Sequence, residues 1–224
     1  MYSLFSKFSN KNTDIDVCLV SPPCSYVTGP SLALGLLKAE LLRGGMSCYV
    51  DYADVYFMHS FGFRRAAEFC QGNMMDFLGE YIFAGPAGIK TKYGPEEMNA
   101  VFRKTDKPLD IIAKKNLVRE ASAAAERETE KTVQRILARN PKLVGATSCF
   151  HQRNGAIAIL RRIKQLRPDI VTVMGGANCF GPAGLGLLKK FDCIDYVFSA
   201  RAMIFSRMSV GGLLKTGHLM WGIW

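Results

Sequence analysis

Three short segments of the chain combine hydroxyl, thiol, imidazole and glycine groups, which are groups that could contact a ligand. They are residues 21–30, 148–154 and 175–182. The Gly175-Gly176 pair would let the main chain approach a bulky ligand without obstruction by side chains. The hydroxyl groups of Thr147 and Ser148 could contact polar groups of the same ligand. The alternative interpretation is structural, with each segment a tight turn closed by local caps.

The histidines and cysteines give few further candidates. His151 lies in the second segment and could contact a cofactor, whereas His59 lies among aromatic residues and is predicted to be structural. His218 lies near the C-terminus. We predict that the cysteines are reduced thiols packed as small hydrophobic side chains. There are seven, at positions 18, 24, 48, 70, 149, 179 and 193.

Several common motifs are absent from the sequence. No pair of cysteines has the CxxC spacing of a zinc or dithiol redox site. The first segment has no GxGxxG and the chain has no Walker A motif, which disfavours binding of NAD, FAD or ATP. A hydrolase is disfavoured because there is no nucleophile elbow.

The elements that must position these segments alternate between strands and helices. Residues 16–21 predict a buried strand that two prolines end. A helix follows, with Ser31 as its N-cap and the glycines at 44–45 as its stop. Residues 48–54 predict a second strand. This βαβ unit indicates a parallel sheet.

Residues 55–140 contain helix signals and loops but no convincing strand, so we predict an inserted helical segment here. Residues 77–83 predict a short helix, and residues 110–139 predict one or two amphipathic helices. Aromatic and methionine residues of the insertion are predicted to pack in the core. They are Phe61, Phe63, Phe69, Met74, Met75 and Phe77.

The alternation then resumes. Strands are predicted at 142–150, 170–174 and 195–198, with helices at 155–166 and 185–190. The pattern predicts an α/β fold with a Rossmann-like, doubly wound, five-stranded parallel sheet. In such folds, ligands bind beyond the carboxyl ends of the strands, where the three segments follow strands one, three and four.

Composition narrows the class of protein. The chain has 224 residues, of which 49% are hydrophobic and 21% charged, as in an ordinary globular domain. It has no run of about 18 apolar residues and no secretory signal at its start, so we predict a cytoplasmic protein without membrane contact. The net charge is +10, but the basic residues are spread over several helices. No specific nucleic-acid partner is therefore expected.

Five blocks of sequence, in this order, resemble one family. It is the N-terminal cobalamin-binding region of cobalamin-dependent radical S-adenosylmethionine enzymes, in the branch that matures ribosomally made peptides (RiPP maturation). The resemblance covers about residues 16–199 and leaves residues 1–15 as an N-terminal extension. The blocks are residues 17–23, 30–38, 77–83, 147–152 and 173–179, with the Leu-Gly-Glu-aromatic block and the Gly-Gly-Ala-Asn loop the most specific.

The resemblance implies that the corrin ring of cobalamin lies across the carboxyl edge of the sheet. Enzymes with this domain typically move a methyl group from methylcobalamin to an unactivated carbon, here of a precursor peptide. The conventional cobalamin module has an Asp-x-His-x-x-Gly motif whose histidine ligates cobalt. Here the loop reads Ser21-Pro-Pro-Cys-Ser-Tyr26, so no histidine ligand is expected from it. The implied cofactor contacts are Ser21, Pro22, Thr147, Ser148, Cys149, Gly175, Gly176 and Ala177, together with Phe150, His151 and Asn178.

The end of the chain departs from the family pattern. The family continues from strand five through Ser-Gly-Glu-Gly to an iron–sulfur barrel, whereas this chain reads Ser199-Ala-Arg-Ala and has no CxxxCxxC motif. The 4Fe-4S cluster and S-adenosylmethionine are thus expected only in full-length relatives. One coding of the family motif, with a single base deleted, reproduces residues 199–206. We therefore hypothesise that residues 200–224 are a frameshifted tail; the alternative is a genuine, divergent C-terminus.

These observations predict cobalamin binding by a truncated member of the family. By itself this chain is expected to be inactive as a methyltransferase, with no catalytic residue and no metal ligand. Its expected partners are a radical S-adenosylmethionine barrel in trans and a precursor peptide. Two other interpretations stay open: a standalone corrinoid carrier or sensor, and a non-functional remnant.

Overall fold

The computed structural model describes four parts of the chain, which are residues 14–25, 29–70, 77–92 and 108–199. The N-terminal extension, except for its last two residues, and the C-terminal stretch from residue 200 lie outside the described residues. His218 and the methionines at 74 and 75 lie outside them too.

Five parallel strands form one sheet in the order β2-β1-β3-β4-β5. The strands are β1 (Ile15–Val20), β2 (Cys48–Asp51), β3 (Pro141–Thr147), β4 (Val171–Gly175) and β5 (Tyr196–Phe198). The helices are α1 (Leu32–Arg43), α2 (Ala53–Phe61), α3 (Phe63–Cys70), α4 (Leu78–Ile82), α5 (Pro108–Leu137), α6 (Arg153–Leu166) and α7 (Pro182–Lys190).

The helices cover both faces of the sheet. On one face, Val17 and Leu19 of β1 belong to a cluster with Leu34 and Leu41 of α1. The alternate β1 residues, such as Cys18, belong to a larger cluster with α2, α5 and α6. Because successive strand residues point to opposite faces, β1 separates two apolar layers. The chain thus has the predicted Rossmann-like α/β fold.

The start of α1 follows the predicted capping. The Ser31 hydroxyl accepts a hydrogen bond from the N–H of Leu34 at 3.3 Å. At the other end, the N–H of Gly44 bonds the carbonyl of Glu40, and Gly45 takes a left-handed φ of 79°. Local chemistry therefore accounts for both ends of this helix.

Two strand boundaries were predicted wrongly. The second strand ends at Asp51 rather than Asp54, because α2 starts at Ala53 and the Asp54 carboxylate accepts the N–H of Val55 at 2.8 Å. The third strand ends at Thr147 rather than Phe150. There the chain turns toward α6, with a φ of 64° at His151.

Between β2 and β3, the described residues form helices α2 to α5 and a series of turns. Phe61 is buried as predicted, but Phe63 and Phe77 are exposed, so the core prediction was wrong for those two. In the described part of the chain, no helix is both long enough and apolar enough to cross a membrane. The 30-residue α5 is too polar because it carries many Glu, Lys and Arg residues.

Candidate functional site

The crevice of this fold lies at the carboxyl ends of β1 and β3. β1 leads through α1 to β2 on one side, whereas β3 leads through α6 to β4 on the other. Helices α1 and α6 belong to opposite faces. The connections after β1 and β3 therefore leave to opposite faces, and in open parallel sheets ligands bind at this switch point. Here the two loops that follow β1 and β3 contact each other, because the N–H of Cys24 donates to the His151 carbonyl at 3.2 Å.

The loop after β1 is packed against its neighbours. The Ser21 hydroxyl is buried and donates to Asp54 Oδ2 at 2.7 Å, and the Ser25 hydroxyl donates to the same oxygen at 2.5 Å. Pro22 is buried, and its carbonyl accepts a hydrogen bond from Gln152 Nε2 at 3.0 Å. Ser21 and Pro22, both predicted ligand contacts, thus form the support beneath the crevice.

Asp54 is the buried acid of this site. Burial raises the pKa of its carboxyl group above the ordinary value, and the hydrogen bonds from Ser25 and Ser21 oppose that rise. The protonated form is therefore favoured more than in water. Asp54 fixes the first loop through its two serine donors.

The loops after β3 and β4 are joined to each other. Ser148 is fully buried, and its N–H bonds the Gly175 carbonyl at 2.6 Å. The Asn178 amide donates to Ser148 Oγ at 3.1 Å and to the Cys149 carbonyl. Gly176 has a φ of 112°, and a Cβ there would lie 2.5 Å from the Ser148 carbonyl oxygen. Only glycine fits this position, because the two loops touch through their main chains.

Gly176 and Ala177 themselves are exposed, as is Cys149, while Thr147, Gly175 and Asn178 are half-buried. The structure therefore brings the second and third predicted segments into direct contact. Ser148 and Asn178 use their side-chain groups to hold these loops together. The exposed surface is provided by small residues and by main chain.

An aromatic cluster flanks the same surface. The His151 ring is largely buried and stacks on Phe77, with centroids 5.7 Å apart and planes 14° apart. Phe150 lies 4.5 Å from the His151 ring and 5.6 Å from the Phe77 ring. The histidine is thus enclosed by two phenylalanines and belongs to the wall of the site.

The helical insertion contacts this cluster through α4. Glu80 is buried, and its carboxylate accepts the N–H groups of Arg153 at 3.1 Å and Asn154 at 2.7 Å, at the start of α6. A Cβ on Gly79 would lie 3.1 Å from both Cys24 Cβ and His151 Nδ1. The Leu-Gly-Glu block therefore caps α6 and lets α4 pack closely on the first loop and the second.

We call the exposed part of this surface the carboxyl rim. It consists of Phe77, Cys149, Phe150, Gly176, Ala177 and Phe180. Phe77, Phe150 and Phe180 are 47%, 45% and 72% exposed. Phe77 and Phe150 lie together, with ring centroids 5.6 Å apart. Exposed large apolar side chains that lie together at such an edge indicate a surface that something covers.

Neither of the described histidines is presented at the rim, since His59 lies on α2 and His151 is enclosed by phenylalanines. Within the described ranges, no group of three or more His, Cys, Asp or Glu residues could hold a metal ion. A corrin ring over the rim would therefore meet apolar side chains and main chain there.

All seven cysteines are free, and five are buried, as predicted. Burial raises the pKa of the Cys193 thiol to about 11 and that of Cys179 to about 12. Cys48 is half-buried, whereas Cys149 is exposed at the carboxyl rim. The prediction of a small packed side chain was wrong for this residue.

Sequence reasoning missed three residues that organise the site. Gln152 joins the first and second loops, since its amide donates to the Pro22 carbonyl and its oxygen accepts the N–H of Cys149 at 3.0 Å. Asp54 was placed at the end of a strand. Phe180 was not singled out, although it lies two residues after the Gly-Gly-Ala-Asn loop. Each of these three residues follows the carboxyl end of a strand, and this was the signal in the sequence that could have identified them.

Comparison of the chain with protein-family models, with curated proteins and with solved structures finds no match. We therefore infer the function from the geometry of the site and from the sequence resemblance.

Proposed function

We propose that this chain binds cobalamin, with the corrin ring lying over the carboxyl rim. One observation carries the proposal. Exposed Phe150, exposed Phe180 and the main chain at Gly176 follow the carboxyl ends of β3 and β4, the edge at which open parallel sheets bind ligands. The five resembling blocks supply the identity of the ligand.

In this proposal the chain's own residues bind and orient the ring. Gly176 and Ala177 let the ring approach the main chain, while Phe77 and Phe150 exclude water from one edge. The residues beneath, including Ser21, Ser148 and Asn178, hold the loops in place. When bound, cobalamin would supply a transferable methyl group or related radical chemistry. We assign neither the iron–sulfur cluster nor S-adenosylmethionine to this chain, and propose that a separate barrel protein and a precursor peptide supply the rest.

A matched pair of variants tests the rim. Phe150 and Leu166 are exposed by similar fractions, 45% and 43%, but Leu166 ends α6 at the opposite edge of the sheet. We expect Phe150→Asp to weaken hydroxocobalamin binding at least about tenfold in equilibrium dialysis, since it places a charge against an apolar ring. Leu166→Asp should bind as the wild type does. Equal binding by all three proteins would contradict the proposal.

The exposed thiol of Cys149 needs its own control. A thiolate can ligate cobalt directly, so retention of cobalamin could come from a cobalt–sulfur bond at this residue alone. We expect Cys149→Ala to retain cobalamin, because the proposed contacts are made by the ring. Complete loss of binding in this variant, with the fold intact, would contradict a ring held by shape.

A further inference from the structure

A second concave surface lies outside the crevice. It is a cleft of about 920 Å³ between the turn at residues 87–90, the outer side of α6, and the end of α7 with the residues that follow it. No residue of the carboxyl rim lines it. Its volume lies within the range of small-molecule sites, about 300–1,000 Å³. We call it the basic cleft.

The basic cleft is lined by five basic side chains and one acidic one. They are Lys90, Arg153, Arg161, Lys164, Lys190 and Asp192. Two of the cations are near acids, since Lys164 Nζ lies 2.6 Å from Asp195 Oδ2 and Arg153 Nε lies 4.0 Å from Glu80 Oε2.

The other three cations, Lys90, Arg161 and Lys190, form no ion pair with any residue that the structure describes. Cations gathered in a concave surface raise the local positive potential. An anion is therefore the ligand that the charges favour.

Arg161 is exposed on α6 and reaches the turn at residues 87–90. Its guanidinium lies against Gly88, where a Cβ would fall 2.7 Å from Arg161 Cζ, and its Nη1 donates to the Pro86 carbonyl at 3.4 Å. Gly88 also has a left-handed φ of 73°. The turn thus leaves room for a guanidinium at the cleft wall, and a guanidinium presents a planar set of donors that matches the oxygens of a phosphate.

The floor of the basic cleft is apolar. Leu187 is buried, and Ile89 and Phe191 are half-buried against the main core. A ligand with an apolar body and an anionic group would satisfy both parts of the lining. An extended nucleic acid would need cations along a longer surface, whereas these line one cavity.

From the cavity, the cations and the floor together, we propose that the basic cleft binds a small organic phosphate, with the phosphate on Arg161 and Lys190 and the apolar body on the floor. This site is separate from the proposed cobalamin surface. Loading the protein with hydroxocobalamin is therefore expected to leave its affinity for the phosphate ligand unchanged.

The test is a fluorescence titration of the full chain with N-methylanthraniloyl-ADP, a probe with an aromatic body and two phosphates. We expect saturable binding that weakens as salt is added, and competition by inorganic pyrophosphate. N-methylanthraniloyl-adenosine, which lacks phosphate, should not bind. Absence of binding, or equal binding of the phosphate-free probe, would overturn the proposal.

Neighbouring lysines provide a matched control. Lys189 and Lys190 both lie exposed in the last turn of α7, but only Lys190 lines the cleft. Lys190→Gln and Arg161→Met should each weaken probe binding about tenfold, as loss of one charged hydrogen bond does. Lys189→Gln should leave it unchanged, and circular dichroism checks each fold. Equal weakening by both lysine variants would show nonspecific attraction and refute the site.

Discussion

Gly176 lies in close main-chain contact with Ser148 at the carboxyl rim. Its φ is 112°, and any Cβ would lie 2.5 Å from the Ser148 carbonyl oxygen. We expect Gly176→Ala to lower the free energy of unfolding in urea by about 1–3 kcal/mol, because the main chain must shift. Gly186 in α7 has no atom within 4 Å of an added Cβ. Gly186→Ala should leave stability unchanged or raise it by up to about 1 kcal/mol. If both substitutions changed the free energy of unfolding equally, the close contact of Gly176 with Ser148 would be contradicted.

Asp54 makes stability depend on pH in a defined direction. Burial raises the pKa of its carboxyl group, so the folded chain holds this proton more tightly than the unfolded chain does. Its contribution to stability is full below the ordinary pKa of 3.8 and is lost as pH rises through the raised pKa. Asp54→Asn cannot lose a proton. We therefore expect the stability of this variant, relative to the wild type, to increase from about pH 4 to about pH 7.

Asp16 is a control for Asp54, because the pKa of its carboxyl group shifts in the opposite direction. A hydrogen bond from Lys142 lowers the pKa of the Asp16 carboxyl group. Its contribution is present above pH 3.8 and is lost as pH falls through the lowered pKa. Asp16→Asn should therefore lose stability relative to the wild type as pH rises to about 4, with little change above that. Urea unfolding from about pH 2 to about pH 7 measures both variants, and trends of the same sign in their respective pH ranges would contradict the account.

At the candidate site, the sequence could predict which residues lie near the carboxyl edge of the sheet, but not which residues they contact. Gly176 was predicted to allow a close approach, and in the structure it lies against Ser148. The hydroxyl groups of Ser21 and Ser148 were expected to face a ligand, yet they bond Asp54 and Asn178. These partners are 33 and 30 residues away along the chain, a distance at which no local pattern signals a contact.

Among the elements, α5 is tied to the sheet by one buried ion pair. Arg135 donates to both oxygens of Asp51 at 3.1 Å, and its guanidinium lies 3.7 Å from the Tyr56 ring centroid. Asp51 is fully buried at the end of β2. We expect Arg135→Met to cost about 3–5 kcal/mol in urea unfolding, because it leaves a buried carboxylate without its cation.

Arg162 provides the control for this pair, since it bonds Glu130 on α5 from α6 at a more exposed position. Arg162→Met should lower the free energy of unfolding much less than Arg135→Met does, because solvent screens an exposed ion pair. If both variants lost the same stability, the buried pair would not be the tie between α5 and the sheet.

The order of strands and helices could be predicted because apolar runs, prolines and glycines mark it locally. The boundary of β2 could not, since α2 starts where Ala53 packs into the core and Asp54 bonds the first loop. The helix α4 was predicted at residues 77–83 and lies at Leu78–Ile82, but its packing against α6 could not be predicted. That packing depends on the contact of Glu80 with Asn154, 74 residues away.

Across the whole molecule, the two candidate binding surfaces, the carboxyl rim and the basic cleft, differ in chemistry. The carboxyl rim is apolar, whereas the basic cleft gathers part of the net charge of +10 between α6 and α7. In the sequence, the basic residues are spread over several predicted helices and form no evident cluster. Only the fold shows that Lys90, Arg161 and Lys190, from three separate parts of the chain, line one cavity.

The most direct test of the central proposal is retention of cobalamin by the purified protein. The full chain would be incubated with hydroxocobalamin and passed through a sizing column, and the folded peak would be scanned in the visible range. We expect about one corrinoid per chain, and a spectrum that His151→Gln leaves unchanged, because in this proposal His151 does not ligate the cobalt. A folded, monodisperse protein that elutes without visible absorbance would contradict the account.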